Sequence, residues 1–170
     1  MRHADSQPRR VVWFYTPAAL VVALDQLTKF AARRYLSPDR PGTLIPGFFD
    51  LKLSYNSGAA FGIMPNWAPL FIIVGLVAVF AIVRLRGAGA RSLVLSAGLG
   101  LLLGGAVGNL IDRLASPTGE VTDFLSLYVR LGDRTYVWPT FNIADIAIVG
   151  GILAMFLHVY VIEKRRGGLV

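Results

Sequence analysis

Apolar positions fill the chain in four long runs, Val11 to Ala32, Trp67 to Val83, Ser92 to Ile111 and Phe141 to Ile162. A hydrocarbon core about 30 Å thick needs roughly 20 helical residues at about 1.5 Å each, so each run predicts a transmembrane helix. Aromatic residues stand at the run boundaries: Trp13 and Tyr35 around the first, Trp67 at the start of the second, Trp138 and Tyr160 around the fourth. Such rings anchor helix ends at the membrane interface. Between the runs the period changes. Phe49, Leu51, Leu53 and Tyr55 alternate with Asp50, Lys52 and Ser54, the period of a half-buried strand, and a turn follows at Asn56-Ser57-Gly58. Two strand-like runs around Leu131-Gly132-Asp133 predict a hairpin. The pattern predicts an all-α membrane protein, a single domain over residues 1–170, with four transmembrane helices and a small extracytoplasmic β-sheet formed by the loops 33–66 and 112–140.

Composition agrees with this pattern and narrows the chemistry. Hydrophobic residues make up 55% of the 170 positions and charged residues 16%, and the mean hydropathy is +0.59, too high for an ordinary soluble domain. Arg2, Arg9 and Arg10 before the first run resemble the start of a secretory signal. The run ends in Asp25, Lys29 and Arg33 without a small-residue cleavage motif, so it is expected to remain as a helix. Cysteine is absent, and His3 and His158 stand outside any ligand cluster, which excludes disulfides, thiolate metal sites and cysteine nucleophiles. The net charge of +7 does not mark a nucleic-acid partner, because the arginines sit in short runs beside apolar segments.

Charge also orients the helices. The N-terminal tail, the loop Arg84 to Arg91 and the tail after Ile162 hold nine basic residues and two acidic ones, while the rest of the chain holds eight of each. Lys and Arg are retained on the cytoplasmic side, so both termini and the middle loop are expected there and the other two loops outside.

Ionisable residues inside apolar runs are costly and are read first as functional. Asp25 and Lys29 lie late in the first run, Asn109 and Asp112 end the third, and Asn142 and Asp145 begin the fourth. The alternating directions of the helices bring all six to one depth near the outer face. Gly100, Gly104, Gly108 and Asp112 recur every four residues, a stripe that allows a neighbouring helix to approach closely. Two carboxylates held close together share one proton, and such a pair can activate water and protonate a carbonyl oxygen during peptide hydrolysis.

Five blocks carry a resemblance that spans nearly the whole chain: Asp25-Gln26-Leu27-Thr28-Lys29, Asn56-Ser57-Gly58-Ala59-Ala60-Phe61, Gly104 to Arg113, Val121-Thr122-Asp123-Phe124 and Phe141-Asn142-Ile143-Ala144-Asp145. In this order they resemble the lipoprotein signal peptidases, the signal peptidase II family. The resemblance implies an aspartic endopeptidase of the bacterial cytoplasmic (inner) membrane that cleaves diacylglyceryl-modified prolipoproteins just before the lipid-bearing cysteine. It implies no metal or organic cofactor, and Asp123 and Asp145 as the catalytic dyad. Asn56, Gly58, Asn109, Asp112, Arg113 and Asn142, with Asp25 and Lys29, are implied as residues that support the site or contact substrate and globomycin-type inhibitors. Membrane lipid is the surrounding partner, and a monomer is expected. Gly62 and Ile146 depart from the family's usual serine and small polar residue.

Plainer readings exist for several of these groups. Asp112 with Arg113 reads equally as an ion pair at a helix end, and Asp25 with Lys29 as a structural pair four residues apart. Asn56 reads as turn geometry, Asp123 as a loop aspartate and His158 as a helix-packing residue. A small polytopic transporter using intramembrane carboxylates is the rival function, a non-catalytic scaffold a weaker one, and Ser54 or Ser57 with Lys29 an alternative nucleophile pair.

Overall fold

The computed structural model describes residues 6–58, 67–88 and 92–167. Their order is α1 (Ser6–Tyr35), β1 (Gly42–Ile45), β2 (Phe49–Asn56), α2 (Ala68–Ala88), α3 (Leu93–Ala115), β3 (Val121–Leu131), β4 (Arg134–Val137) and α4 (Ile143–Gly167). All four helices are long and apolar enough to cross a membrane. Ala59, Ala60 and Phe61 of the second block, Gly62, residues 89–91 of the basic middle loop and the chain termini lie outside the described residues.

The fold is mostly helical but not purely all-α, which corrects the predicted class. Two antiparallel hairpins, β1–β2 and β3–β4, join through β2 and β3 into one four-stranded sheet of order β1-β2-β3-β4. The alternation along 49–55 marked β2, while β1 is too short and exposed to carry a pattern of its own. The β3–β4 turn lies where the sequence places it. Leu131 pairs with Arg134, and Gly132 takes φ +59°, a left-handed conformation that glycine adopts without a Cβ clash.

Helix α3 is the centre of the bundle, and glycine is the reason it can be. A Cβ on Gly104 would lie 2.7 Å from Val21 Cβ and 2.8 Å from the Ala18 carbonyl oxygen, so α1 packs directly on the stripe. On the other face, a Cβ on Gly105 would lie 2.6 Å from Ile148 Cγ1 of α4. The matching face of α1 is equally regular, since Phe14, Ala18, Val21, Asp25, Lys29 and Ala32 are its buried residues at steps of three and four. The outward faces remain apolar and exposed, as with Leu20, Leu24 and Leu27 on α1 or Val149, Leu153 and Phe156 on α4, which suits lipid rather than water.

Hydropathy misplaces the helix ends that matter most. Helix α3 continues four residues past Ile111, ending where the Ser116 N–H donates to the Asp112 carbonyl at 2.8 Å. Helix α4 begins later than its apolar run. Phe141 forms an antiparallel bridge with Leu125, accepting from the Phe124 and Leu125 N–H groups at 3.1 and 2.9 Å. That bridge ties β3 to the start of α4. Beneath it, Ala32, Leu53 and Phe124 form a small core with Leu36, Leu51, Leu125 and Ile143 that seats the sheet on the bundle end.

Candidate active site

Six polar residues from three helices meet where the apolar runs end, as the helix directions require. Lys29 and Asp25 are four apart on α1, both fully buried, with Nζ 2.8 Å from the carboxylate. Lys29 also reaches Asp112 at 3.3 Å and donates to Asn109 Oδ1 at 2.9 Å. An ammonium has three donors, and three acceptors surround this one. The other Asp25 oxygen accepts from the Ala144 N–H at 3.0 Å, one of the free amides in the first turn of α4. The pair therefore does more than orient α1, because it locks α1, α3 and α4 together. Removing one member would strand a buried charge at a cost on the order of 3–5 kcal/mol.

Asp112 does not pair with Arg113. It accepts from Gln26 at 3.2 Å and from the Thr122 N–H at 2.8 Å, and lies 3.7 Å from the half-exposed Arg33. Arg113 turns to the opposite side, donating to the carbonyls of Gly119 and Gly58 at 2.9 and 2.8 Å and stacking over Phe71. Its guanidinium holds two loops in place. Adjacent residues on a helix point about 100° apart, so neighbours in sequence were a poor guide here. Gln26 and Arg33 carried a signal that went unused: Gln26 lies within the first block, and Arg33 continues the spacing of Asp25 and Lys29.

Asp123 comes from the sheet. The β2–β3 register sets it opposite Ser54, with Asn56 opposite Val121, and a bulge between Leu51 and Ser54 precedes this stretch. It is 2% exposed rather than a solvated loop residue. Asn142 donates to one Asp123 oxygen at 2.6 Å and Asn56 to the other at 3.2 Å. Asn56 keeps its predicted turn role as well, accepting the Gly58 N–H at 3.0 Å.

Asp145 and Asn142 form a reciprocal cap on α4. The Asn142 Oδ1 accepts the Asp145 N–H at 3.0 Å, and the Asp145 carboxylate accepts the Asn142 N–H at 3.1 Å. Asn109 Nδ2 donates to the second Asp145 oxygen at 2.9 Å. Asn142 thus touches both acids. Burial, and next the Asp145 charge, push the Asp123 carboxyl up to about 7, against the opposing effects of the Asn142 and Asn56 amides and of Lys29.

Asp123, Asp145, Asn56, Gly58, Asn109 and Arg113 line one cleft of about 570 Å³. Its remaining walls are largely apolar, with Leu127 and Trp138 from the second hairpin, Phe141 ahead of α4, and Ile146, Ile148 and Val149 from the start of α4. Asp25, Lys29, Asp112 and Asn142 are not in its lining and stand behind it. Lys29 bonds to Asp25, Asp112 and Asn109, and neither Ser54 nor Ser57 is among its partners, so the serine and lysine pair is not assembled.

The sequence model of the family described as signal peptidase (SPase) II matches residues 17–161. The chain belongs to the signal peptidase II family. The lipoprotein signal peptidase of Symbiobacterium thermophilum is 41% identical over 149 residues, covering 87% of this chain and 94% of that protein. That of Geobacillus thermodenitrificans is 37% identical over 160 residues, covering 94% and 96%. A bacterial membrane enzyme solved by the in meso method at 2.3 Å superposes with a TM-score of 0.76 at 30% identity, covering 85% of each chain. The chain is a multi-pass membrane peptidase of this family, which displaces the transporter and scaffold readings. The signal peptidase II match covers α1 from Pro17 onward, α2, α3, the whole sheet and α4 as far as residue 161.

Proposed function

We propose that the chain is an aspartic endopeptidase that removes signal peptides from diacylglyceryl-modified prolipoproteins, cutting immediately before the lipidated cysteine, with Asp123 and Asp145 as the catalytic dyad. The observation that carries this reading is the pair of carboxylates facing one largely apolar cleft, bridged by Asn142 and each given an N–H donor on both oxygens. Burial and the Asp145 charge push the Asp123 carboxyl up to about 7, so the pair can keep one shared proton near neutral pH, and in the proposed reaction that proton starts on Asp123. The Asp145 carboxylate then takes a proton from water as its oxygen attacks the scissile carbonyl carbon. Asp123 donates to the carbonyl oxygen and stabilises the tetrahedral intermediate. As the carbon–nitrogen bond breaks, the proton taken up by Asp145 passes to the leaving amine.

The apolar walls suit a signal helix that arrives from the bilayer, because Ile146 and Val149 are exposed on α4 and also line the cleft. Globomycin-type inhibitors would compete for the same space. On this reading the protein lies in the bacterial cytoplasmic membrane with both termini inside and the site near the outer face. One chain supplies every group named, so a monomer suffices.

The test is cleavage of a diacylglyceryl-modified precursor by the purified protein in detergent, read by product mass. We expect an intact signal peptide and a mature chain beginning at the lipidated cysteine. Asp123→Asn and Asp145→Asn should each lower the rate by about 10³-fold or more. Near-wild-type cleavage by either variant would remove the dyad from the mechanism.

A further inference from the structure

Each carboxamide at the dyad has its direction imposed by a group that can only donate. Asn56 Oδ1 faces the Gly58 N–H at 3.0 Å, and Asn142 Oδ1 faces the Asp145 N–H at 3.0 Å. Asn109 Oδ1 faces the Lys29 ammonium at 2.9 Å and the Asn142 amide at 3.1 Å. An ammonium and a backbone N–H accept nothing, so the carbonyl end of each amide must turn to them. The NH2 ends are left for Asp145 and Asp123. A reversed Asn109 would present a carbonyl to Asp145, and that carbonyl could capture the dyad's proton. Among the described residues the dyad meets three carboxamide donors, the Asn142 backbone N–H and no amide acceptor, which leaves its proton for the partner acid or the substrate.

We propose that Lys29 is a positioning residue of the reaction: through Asn109 it fixes the amide direction that keeps a competing acceptor away from the dyad. This rests on the aspartic reading above and goes beyond it, since it gives the buried ammonium a role in kcat besides its ion pairs. Asp25 and Asp112 lie 2.8 and 3.3 Å from the same Lys29 nitrogen. The charged and titratable groups around Asn109 are Lys29 and Asp25 from α1, Asp112 and Arg113 from its own helix, Asp123 from β3 and Asp145 from α4.

Two sets of variants test it on the full-length protein in detergent. The first compares Lys29→Gln with Lys29→Arg. Glutamine can donate or accept and releases Asn109, whereas arginine only donates. We expect Lys29→Gln to lose about tenfold or more in kcat with KM within about twofold, and Lys29→Arg to recover most of that loss. The second set decides if the Lys29 variants fail to fold, which melting curves would reveal. In Asn109→Asp a protonated carboxyl reproduces the amide, its carbonyl facing Lys29 and its O–H facing Asp145, while the ionised form offers acceptors only. Its activity relative to wild type should therefore rise about tenfold or more as the pH falls from about 8 to about 5, and Asn109→Leu should show no such rise. Parallel ratios for Asp and Leu across that range, or a Lys29→Gln protein that folds and keeps its kcat, would overturn the proposal. If Asp123→Asn and Asp145→Asn are inactive in the same assay, the dyad reading survives that outcome. If those variants are active, the dyad reading is what fails.

Discussion

A carboxyl that keeps its proton to about pH 7 when folded, against an ordinary value of 3.8, binds more protons in the folded state than in the unfolded one between those limits. Stability must then fall as pH rises through that window, and Asp123 supplies one such contribution. The same ionisation removes the acid of the proposed mechanism. We expect the Asp123 contribution to melting temperature to decline from about pH 4 to about pH 7 and kcat/KM to fall on the alkaline side of about pH 7. In Asp123→Asn the melting curve should lose that part of its slope. An Asp123→Asn melting curve with the same pH slope as wild type across that range would contradict the assignment. Little of this was legible locally, because Asp123 lies in a segment that reads as an outer loop and only its block of four residues singled it out. Its burial comes from pairing with β2 and from the bridge to Phe141, contacts between residues far apart in the chain. Asp25 and Lys29 were the opposite case. Their pairing follows from the step of four along one helix, and the structure adds only the partners on α3 and α4.

At the scale of elements, the glycine stripe was legible as close packing, and its purpose becomes clear at Gly108. A Cβ there would lie 2.6 Å from an Asp25 carboxylate oxygen and 3.3 Å from Ala144 Cβ, at the point where α1, α3 and α4 meet. Gly108→Ala would push Asp25 away from Lys29 and from the Ala144 N–H together. The expected cost is about 1–3 kcal/mol of stability, with loss of most activity because the first turn of α4 carries Asp145. Gly150→Ala is the control, since its Cβ would find only Leu101 Cδ1 at 3.8 Å. Melting curves and cleavage rates of the two variants, measured side by side, check the difference; equal behaviour would mean that the stripe does not position the site. The helix ends were less legible than the helices. Hydropathy reads contact with lipid, whereas a helix continues while its backbone hydrogen bonds do, so α3 carries Asp112 and Arg113 in a last turn beyond the apolar run. The start of α4 fails the other way, as Phe141 is apolar enough to join the run yet is held by Leu125.

For the whole molecule, the decisive property is that all ionisable groups around the dyad lie at one end of the bundle. Helix α1 has 30 residues, about 45 Å at helical rise, more than a hydrocarbon core of about 30 Å requires. Its excess length carries Arg33 beyond the apolar stretch to the sheet, where it donates to Thr122 at 2.9 Å. The sheet is thus fixed to the end of the bundle where α1 and α3 finish and α4 begins. The proposed orientation, read from the excess of Arg and Lys in the tails and the middle loop, puts the opposite end in the cytoplasm, and on that proposal the sheet faces outward. The absence of cysteine makes this directly measurable, because any introduced thiol is the only one. Asp133 is exposed in the β3–β4 turn, and Arg84 is exposed near the end of α2 away from the sheet. With a membrane-impermeant maleimide on intact cells, Asp133→Cys should label fully, while Arg84→Cys should label only after the membrane is opened. The reverse pattern would turn the cleft towards the cytoplasm, where a lipidated precursor already crossing the membrane would have to present its cleavage site on the wrong side.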